Sequence, residues 1–180
     1  MATVRAIEER SLNAWSALRR VFLDGWILGL SEGYTRCANS VNPIYDGIRT
    51  VEDRIPLCEE TCANHGLATT FKITPMAVEM GLDRALEGLS YTNKATTRVQ
   101  VLTLGAAQVE ADQAAEVLDQ VSDDWMADYQ RLKQMDAWET AKNRTILDRT
   151  GLPTRFVSIL ESGDRVAAGI AVIESGCFGS

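Results

Sequence analysis

The stretch Gly151-Leu-Pro-Thr-Arg-Phe-Val-Ser-Ile-Leu160, followed by Glu161-Ser-Gly-Asp164 and Arg165-Val-Ala-Ala-Gly-Ile-Ala-Val-Ile-Glu174, decides the fold. Gly151-Leu-Pro153 ends any helix before it, because proline has no backbone donor and its ring clashes with the preceding turn. Thr154–Leu160 is rich in β-branched and apolar residues and reads as a strand. Ser162-Gly-Asp164 is a turn, Val166–Glu174 a second strand and Ser175-Gly176 a second turn. Cys177-Phe-Gly-Ser180 opens a further element. The core of this region is therefore an antiparallel hairpin.

Upstream of the hairpin, Val121, Trp125, Tyr129 and Leu132 fall at helical intervals. Ser122 is placed to cap that helix, and Asp123-Asp124 occupy its first turn, where the helix dipole favours carboxylates. Residues 136–149 read as a second helix. The order in this half is helix, helix, strand, strand.

The first half begins with a helical stripe of Val4, Ile7, Trp15, Leu18 and Phe22, stopped at Asp24-Gly25. Gly25–Leu30 is predicted as a strand, Ser31-Glu-Gly33 as a turn and Tyr34–Asn39 as the returning strand. Asn42-Pro43 and Asp46-Gly47 mark a loop. Val51, Ile55, Cys58, Cys62 and His65 define a helix ending at Gly66, with Pro56 suited only to its first turn. A strand is expected at Thr69–Thr74, a helix at Val78–Leu89 and a long strand at Tyr91–Leu104. The pattern predicts a mixed α+β fold, with units at 1–104 and 122–180 joined by a connection at 105–121.

The chain has 180 residues and a net charge of −7. No basic face or stripe marks a nucleic-acid partner. No apolar run reaches the roughly eighteen residues of a membrane span, and no signal core precedes the first helix. A cytoplasmic protein is expected. Glu110, Asp112, Glu116, Asp119, Asp123 and Asp124 fall within 105–124 with no Lys or Arg. This acidic run reads as a solvated face, with attraction of a cationic amine as the sharper alternative.

Cys58, Cys62 and His65 share a helix face, but three donors do not close a zinc site, and buried thiols are the better reading. With one histidine in the chain, a Ser-His-Asp hydrolase would have to use His65. No Walker loop or Gly-x-Gly-x-x-Gly turn is present. No catalytic residue and no metal ligand is assigned. Tyr34, Arg36, Asn39 and Asn42 cluster where the first hairpin ends, and polar side chains there are candidates for binding substrate. The alternative is that Asn39 and Asn42 close turns on their own backbone.

Several segments resemble a bacterial group of GNAT-superfamily N-acetyltransferases. They are Ile7-Glu-Glu-Arg-Ser-Leu-Asn-Ala-Trp15, Asp24-Gly-Trp-Ile-Leu28, Glu32-Gly-Tyr-Thr35, Ala38-Asn-Ser-Val-Asn-Pro43 and Phe71-Lys-Ile-Thr-Pro75. Ala167-Ala-Gly-Ile-Ala-Val-Ile-Glu-Ser-Gly176 is similar to the central strand and turn of the acetyltransferase domain. The resemblance implies an acyl-CoA N-acyltransferase-like (GNAT) unit in degenerate form over 1–104. It implies the first half of a second, catalytic GNAT unit over 122–180. It also implies acetyl-CoA as cosubstrate and a small-molecule or peptide amine as acceptor. In the family an Arg/Gln-x-x-Gly-x-Gly/Ala turn holds the pyrophosphate on backbone N–H groups, and none follows Gly176. Gly29 and Cys37 stand where relatives carry basic residues. On this reading the chain stops short of its cosubstrate site and is inactive alone. A non-catalytic binding module is the competing expectation. Strand 166–174 would present an open edge, able to pair with a second copy as a homodimer.

Overall fold

A computed structural model describes residues 3–103 and 115–179, with side chains to residue 176. It is a mixed α/β molecule with two antiparallel sheets. Sheet A is ordered β1-β2-β3 and sheet B is ordered β4-β5-β6-β7.

Helix α1 (Val4–Ala14) starts on Thr3, whose hydroxyl accepts from the Ala6 N–H. It ends earlier than the apolar stripe suggested. Arg19–Leu23 forms β1, which pairs with β2 (Trp26–Leu30). The reason lies in Asp24 and Gly25, with φ of 42° and 86°. Two successive positive φ values make the two-residue hairpin turn whose twist matches paired strands. Asp24-Gly25 is thus a hairpin turn and not a helix stop.

The predicted returning strand Tyr34–Asn39 is instead a compact turn. The Asn39 side chain fills it, accepting from Ser31 N (2.7 Å) and Gly33 N (3.1 Å) and donating to the carbonyls of Tyr34 (2.9 Å) and Thr35 (2.7 Å). Strand β3 (Val41–Pro43) then pairs with the far side of β2. Thr69–Thr74 contributes one parallel bridge, Phe71 to Val41, rather than a strand.

Helix α2 (Val51–Ala63) begins a turn before Ile55, because the Thr50 hydroxyl caps it by accepting from Asp53 N. Pro56 therefore sits inside the helix. It is exposed, so the carbonyl it leaves unpaired can be hydrated. The helix expected at 78–89 is two short ones, α3 (Pro75–Glu79) and α4 (Leu82–Gly88). Residues 91–103 form no strand despite their β-favouring composition, and Leu104 lies outside the described residues. Val99, Val101 and Leu102 are mostly exposed, with no partner strand among the described residues.

Strand β4 (Ala115–Leu118) falls within the expected connection 105–121, whose residues 105–114 lie outside the described residues. Helices α5 (Asp123–Lys133) and α6 (Ala137–Asp148) follow. The Ser122 hydroxyl caps α5, and Asp136 with Glu139 forms a reciprocal capping box on α6. Strands β5 (Thr154–Glu161), β6 (Asp164–Glu174) and β7 (Cys177–Gly179) complete sheet B. The edge of β6 is only partly open, because β7 pairs with Val172–Glu174.

Under sheet A, Trp26, Leu28 and Leu30 of β2 pack on Ile55, Cys58 and Cys62 of α2 and on Leu82 and Leu86 of α4. Full burial of Leu28 or Ile55 stabilises by about 1.5–3 kcal/mol each. Sheet B has a smaller core of Trp125, Met126, Leu147 and Phe156, edged by Leu118, Ala168 and Ile170. A third cluster, Tyr34, Ala38 and Ile146, joins the halves. No described helix is long and apolar enough to cross a membrane.

Candidate functional site

The junction between the two sheets gathers the most polar chemistry in a buried setting. Tyr34 comes from the Asn39-closed turn, and Asn143 comes from the inner face of α6. The Tyr34 hydroxyl accepts from Asn143 Nδ2 at 3.0 Å and lies 3.3 Å from the Met135 sulfur. The Trp138 ring meets the Tyr34 ring edge-on at 6.1 Å. Tyr129 stacks on Trp125 at 4.8 Å. Burial pushes the Tyr129 phenol upward in pKa, and neighbouring Tyr34 adds to the shift. Asn143 is 2% exposed, and its Oδ1 has no hydrogen-bond partner. The junction therefore offers one unused acceptor near two phenol rings. That can orient a donor, but it supplies no nucleophile.

The four residues singled out in the sequence divide between roles. Tyr34 faces α6 across the junction. Asn39 uses both ends of its amide to close its own turn. Asn42 is buried within β3 of sheet A and donates to the carbonyls of Ile27 (3.2 Å) and Ser40 (2.8 Å). Arg36 is exposed. The structure brings them into one stretch of chain, not around one cavity.

A shallow groove of about 410 Å³ opens elsewhere, between the end of β4, the end of α6 and the start of β5. Its floor includes Leu147 and Phe156, and its walls carry Asp119, Arg144, Asp148 and Arg155. Arg155 pairs with Asp119 at 3.0 Å, and Arg144 reaches Asp148 at 3.1 Å and Asp123 at 3.2 Å. The bond to Asp123 is the main reason the Arg144 guanidinium titrates above its ordinary value. Asp119 and Asp123 of the acidic run are thus matched by arginines from distant segments, and so is Glu116. Sequence reading missed the groove because its walls come from three separate stretches. The only local hint was the acidic run itself.

Sheet B also carries an ionic network. Arg165 of β6, 9% exposed in its side chain, pairs with Glu116 of β4 and Asp128 of α5, each at 2.5 Å, and donates to the Ser158 hydroxyl at 2.6 Å. The network ties three strands to a helix. On α2, Cys58 and Cys62 are buried in the sheet A core, and His65 is exposed with Nδ1 2.9 Å from the Thr61 carbonyl. Burial, then the proximity of Cys62, pushes the Cys58 thiol up to about 12, so it is not a nucleophile at neutral pH. No cluster that could hold a metal occurs among the described residues.

Two antiparallel sheets, a polar junction and a groove lined by both charges define a small α/β scaffold. The comparisons give the family. A family model described as "Probable histone acetyltransferase Rv0428c C-terminal" matches residues 1–150, and the chain belongs to that family. It is also 26% identical over 137 residues to "Probable histone acetyltransferase Rv0428c" of Mycobacterium tuberculosis (strain ATCC 25618 / H37Rv). The alignment covers 75% of this chain and 41% of that relative, so the chain spans less than half the length of the curated protein it matches. No solved structure matches.

Proposed function

We propose that the protein is part of a GNAT-type N-acetyltransferase, a lineage that moves an acetyl group from acetyl-CoA to an amine. The observation that carries the reading is the order β4-α5-α6-β5-β6-β7. Side chains of α5 and α6 share one core with Phe156, Ala168 and Ile170 of the antiparallel sheet. Helix pair followed by antiparallel strands is the outline expected for the first half of the catalytic unit. The acetyltransferase name of the relative supports it.

On this proposal the helix starts of the second half do not suit acetyl-CoA. A pyrophosphate is held by free backbone N–H groups at a helix start. Helix α5 begins on Asp123 and Asp124, and α6 begins on Asp136 and Glu139, so both starts already carry carboxylates that repel a phosphate. No Arg/Gln-x-x-Gly-x-Gly/Ala turn occurs anywhere in the 180 residues. On this reading residues 1–180 alone neither bind the cosubstrate nor turn over. Within the same proposal, the exposed Arg36 is the candidate among the four loop residues that remains free to meet an acceptor.

A thermal-shift titration tests the proposal. This chain should show no shift with acetyl-CoA. A form lengthened beyond Ser180 with the corresponding segment of the Mycobacterium relative should gain about 2.7 kcal/mol at a hundredfold excess over its dissociation constant. A non-catalytic binding module is the second reading, favoured by the edge of β6 that β7 leaves open before Val172 among the described residues. It is the better account if the lengthened form also ignores acetyl-CoA. Stoichiometric binding by the 180-residue chain would sink the claim of an incomplete site.

A further inference from the structure

We infer that the groove between β4, α6 and β5 binds a small zwitterion: an apolar body of amino-acid size carrying one ammonium and one carboxylate. The two poles that would hold it come from how α6 ends and how β5 begins. Gly151-Leu-Pro153 turns the chain off the helix, so the last carbonyls of α6 have no following turn to bond. The Thr150 N–H reaches back to the Leu147 carbonyl at 3.1 Å, but no described backbone donor reaches the carbonyls of Asp148 or Arg149. The last turn holds no basic residue, and the Arg149 guanidinium leaves for the Leu18 carbonyl at 2.7 Å. Arg144 answers the Asp148 carboxylate, while the carbonyl end of the helix dipole stays uncompensated. That end of the groove suits an ammonium group.

The opposite pole is Arg155. Its Nε meets Asp119 at 3.0 Å, and its Nη1 donates to the Thr154 carbonyl at 3.1 Å. These two contacts hold the planar group in place. Its Nη2 donors have no partner among the described residues and are free for a carboxylate. The Asp119 side chain is 80% exposed against 38% for Arg155. The acid is therefore the partner that water screens and that can swing aside at little cost.

Between the poles the floor is apolar. Leu147 and Phe156 are buried there, and Val121 and Leu152 are half-buried. Asp119, Asp148, Arg144 and Arg155 give the walls two charges of each sign. A ligand with a net charge loses at one pole what it gains at the other. A zwitterion laid across the floor satisfies both and buries its apolar part. The site is independent of acetyl transfer.

Amide-shift titrations of the isotope-labelled chain at low salt, with leucine, leucinamide and N-acetyl-leucine, test the assignment. Leucine should bind reversibly in the millimolar range and move the signals of residues 147–156. Leucinamide lacks the carboxylate and N-acetyl-leucine lacks the ammonium. Each should bind at least about tenfold more weakly, as loss of a charge-assisted hydrogen bond requires. Arg155→Gln should weaken leucine and N-acetyl-leucine by at least about tenfold and leave leucinamide unchanged. Should that variant unfold, the three compounds on the unaltered chain still decide the matter. No response to leucine, shifts confined to other parts of the molecule, an analogue that binds as tightly as leucine, or leucine binding indifferent to Arg155→Gln would overturn the proposal.

Discussion

The two sheets are stabilised by different physics. Every residue of β2 is buried, and sheet A closes over an apolar core built from three strands and three helices. Among the described side chains of sheet B, only Phe156 and Ser158 of β5 and Val172 of β6 are buried. Sheet B leans on one tryptophan-centred cluster and on the Arg165 network. Apolar burial is insensitive to salt and acid, whereas ion pairs respond to both. The two halves of one chain should therefore fail under different conditions.

The largest separation comes from Trp125→Ala. Trp125 is fully buried, and its loss should cost about 3–5 kcal/mol. Amide exchange should accelerate across β4–β6 while β1–β3 stays protected. Equal loss in both sheets would show that they fold as a single unit. Arg165→Met comes next. Breaking a buried pair costs about 3–5 kcal/mol, but the side chains of Glu116 and Asp128 are 35% and 32% exposed. Solvent screening lowers the expected cost to about 1–3 kcal/mol in urea denaturation.

Acid acts on both halves, and salt separates them. Hydrogen bonds from Arg131, then Arg165, hold the Asp128 carboxyl below its ordinary value in the folded chain. That stability is present above the unfolded carboxylate pKa near ~3.9 and is lost as pH falls through the lower folded value. Asp24 is also held low, first by the backbone N–H groups of Ile48 and Arg49. Urea midpoints should therefore drop below about pH 4. Raised salt should weaken the Asp128 part more than the Asp24 part, and Asp128→Asn should remove that difference.

Tyr34→Phe probes the seam between the sheets. It removes the acceptor for Asn143 Nδ2 and should cost about 1 kcal/mol by thermal unfolding. The smallest effect is chemical. Cys37 is exposed, while Cys58 and Cys62 are buried. A thiol reagent followed by peptide mapping should mark Cys37 quickly and the α2 cysteines only on unfolding.

The second half was nearly legible from sequence. Ser122, Gly151-Leu-Pro153 and Ser162-Gly163 are local punctuation, and α5, α6, β5 and β6 fall within a few residues of where those signals put them. The first half was harder. Leu18 and Phe22 continue the helical stripe of α1 by spacing alone, yet they lie beyond its end. Only the pairing of Leu23 with Trp26 shows that Asp24-Gly25 turns a hairpin. That Asn39 closes its own turn was legible from its residue type, but the four backbone groups that it satisfies were not. Tyr91–Thr103 has strand-like composition without a partner strand among the described residues, and composition cannot supply one. The candidate site was less legible again, because Tyr34 and Asn143 are 109 positions apart.

The interlock of the Asp24-Gly25 turn with the Asp46-Gly47 loop governs where this molecule can be re-engineered. A side-chain carbon at Gly25 would lie 2.4 Å from the Asp46 carbonyl oxygen, and one at Gly47 would lie 2.3 Å from that of Asp24. Neither loop can accept an inserted tag or fluorophore without prying the corner apart. The Ser162-Gly163 turn has open space around it and is the natural place to graft a reporter.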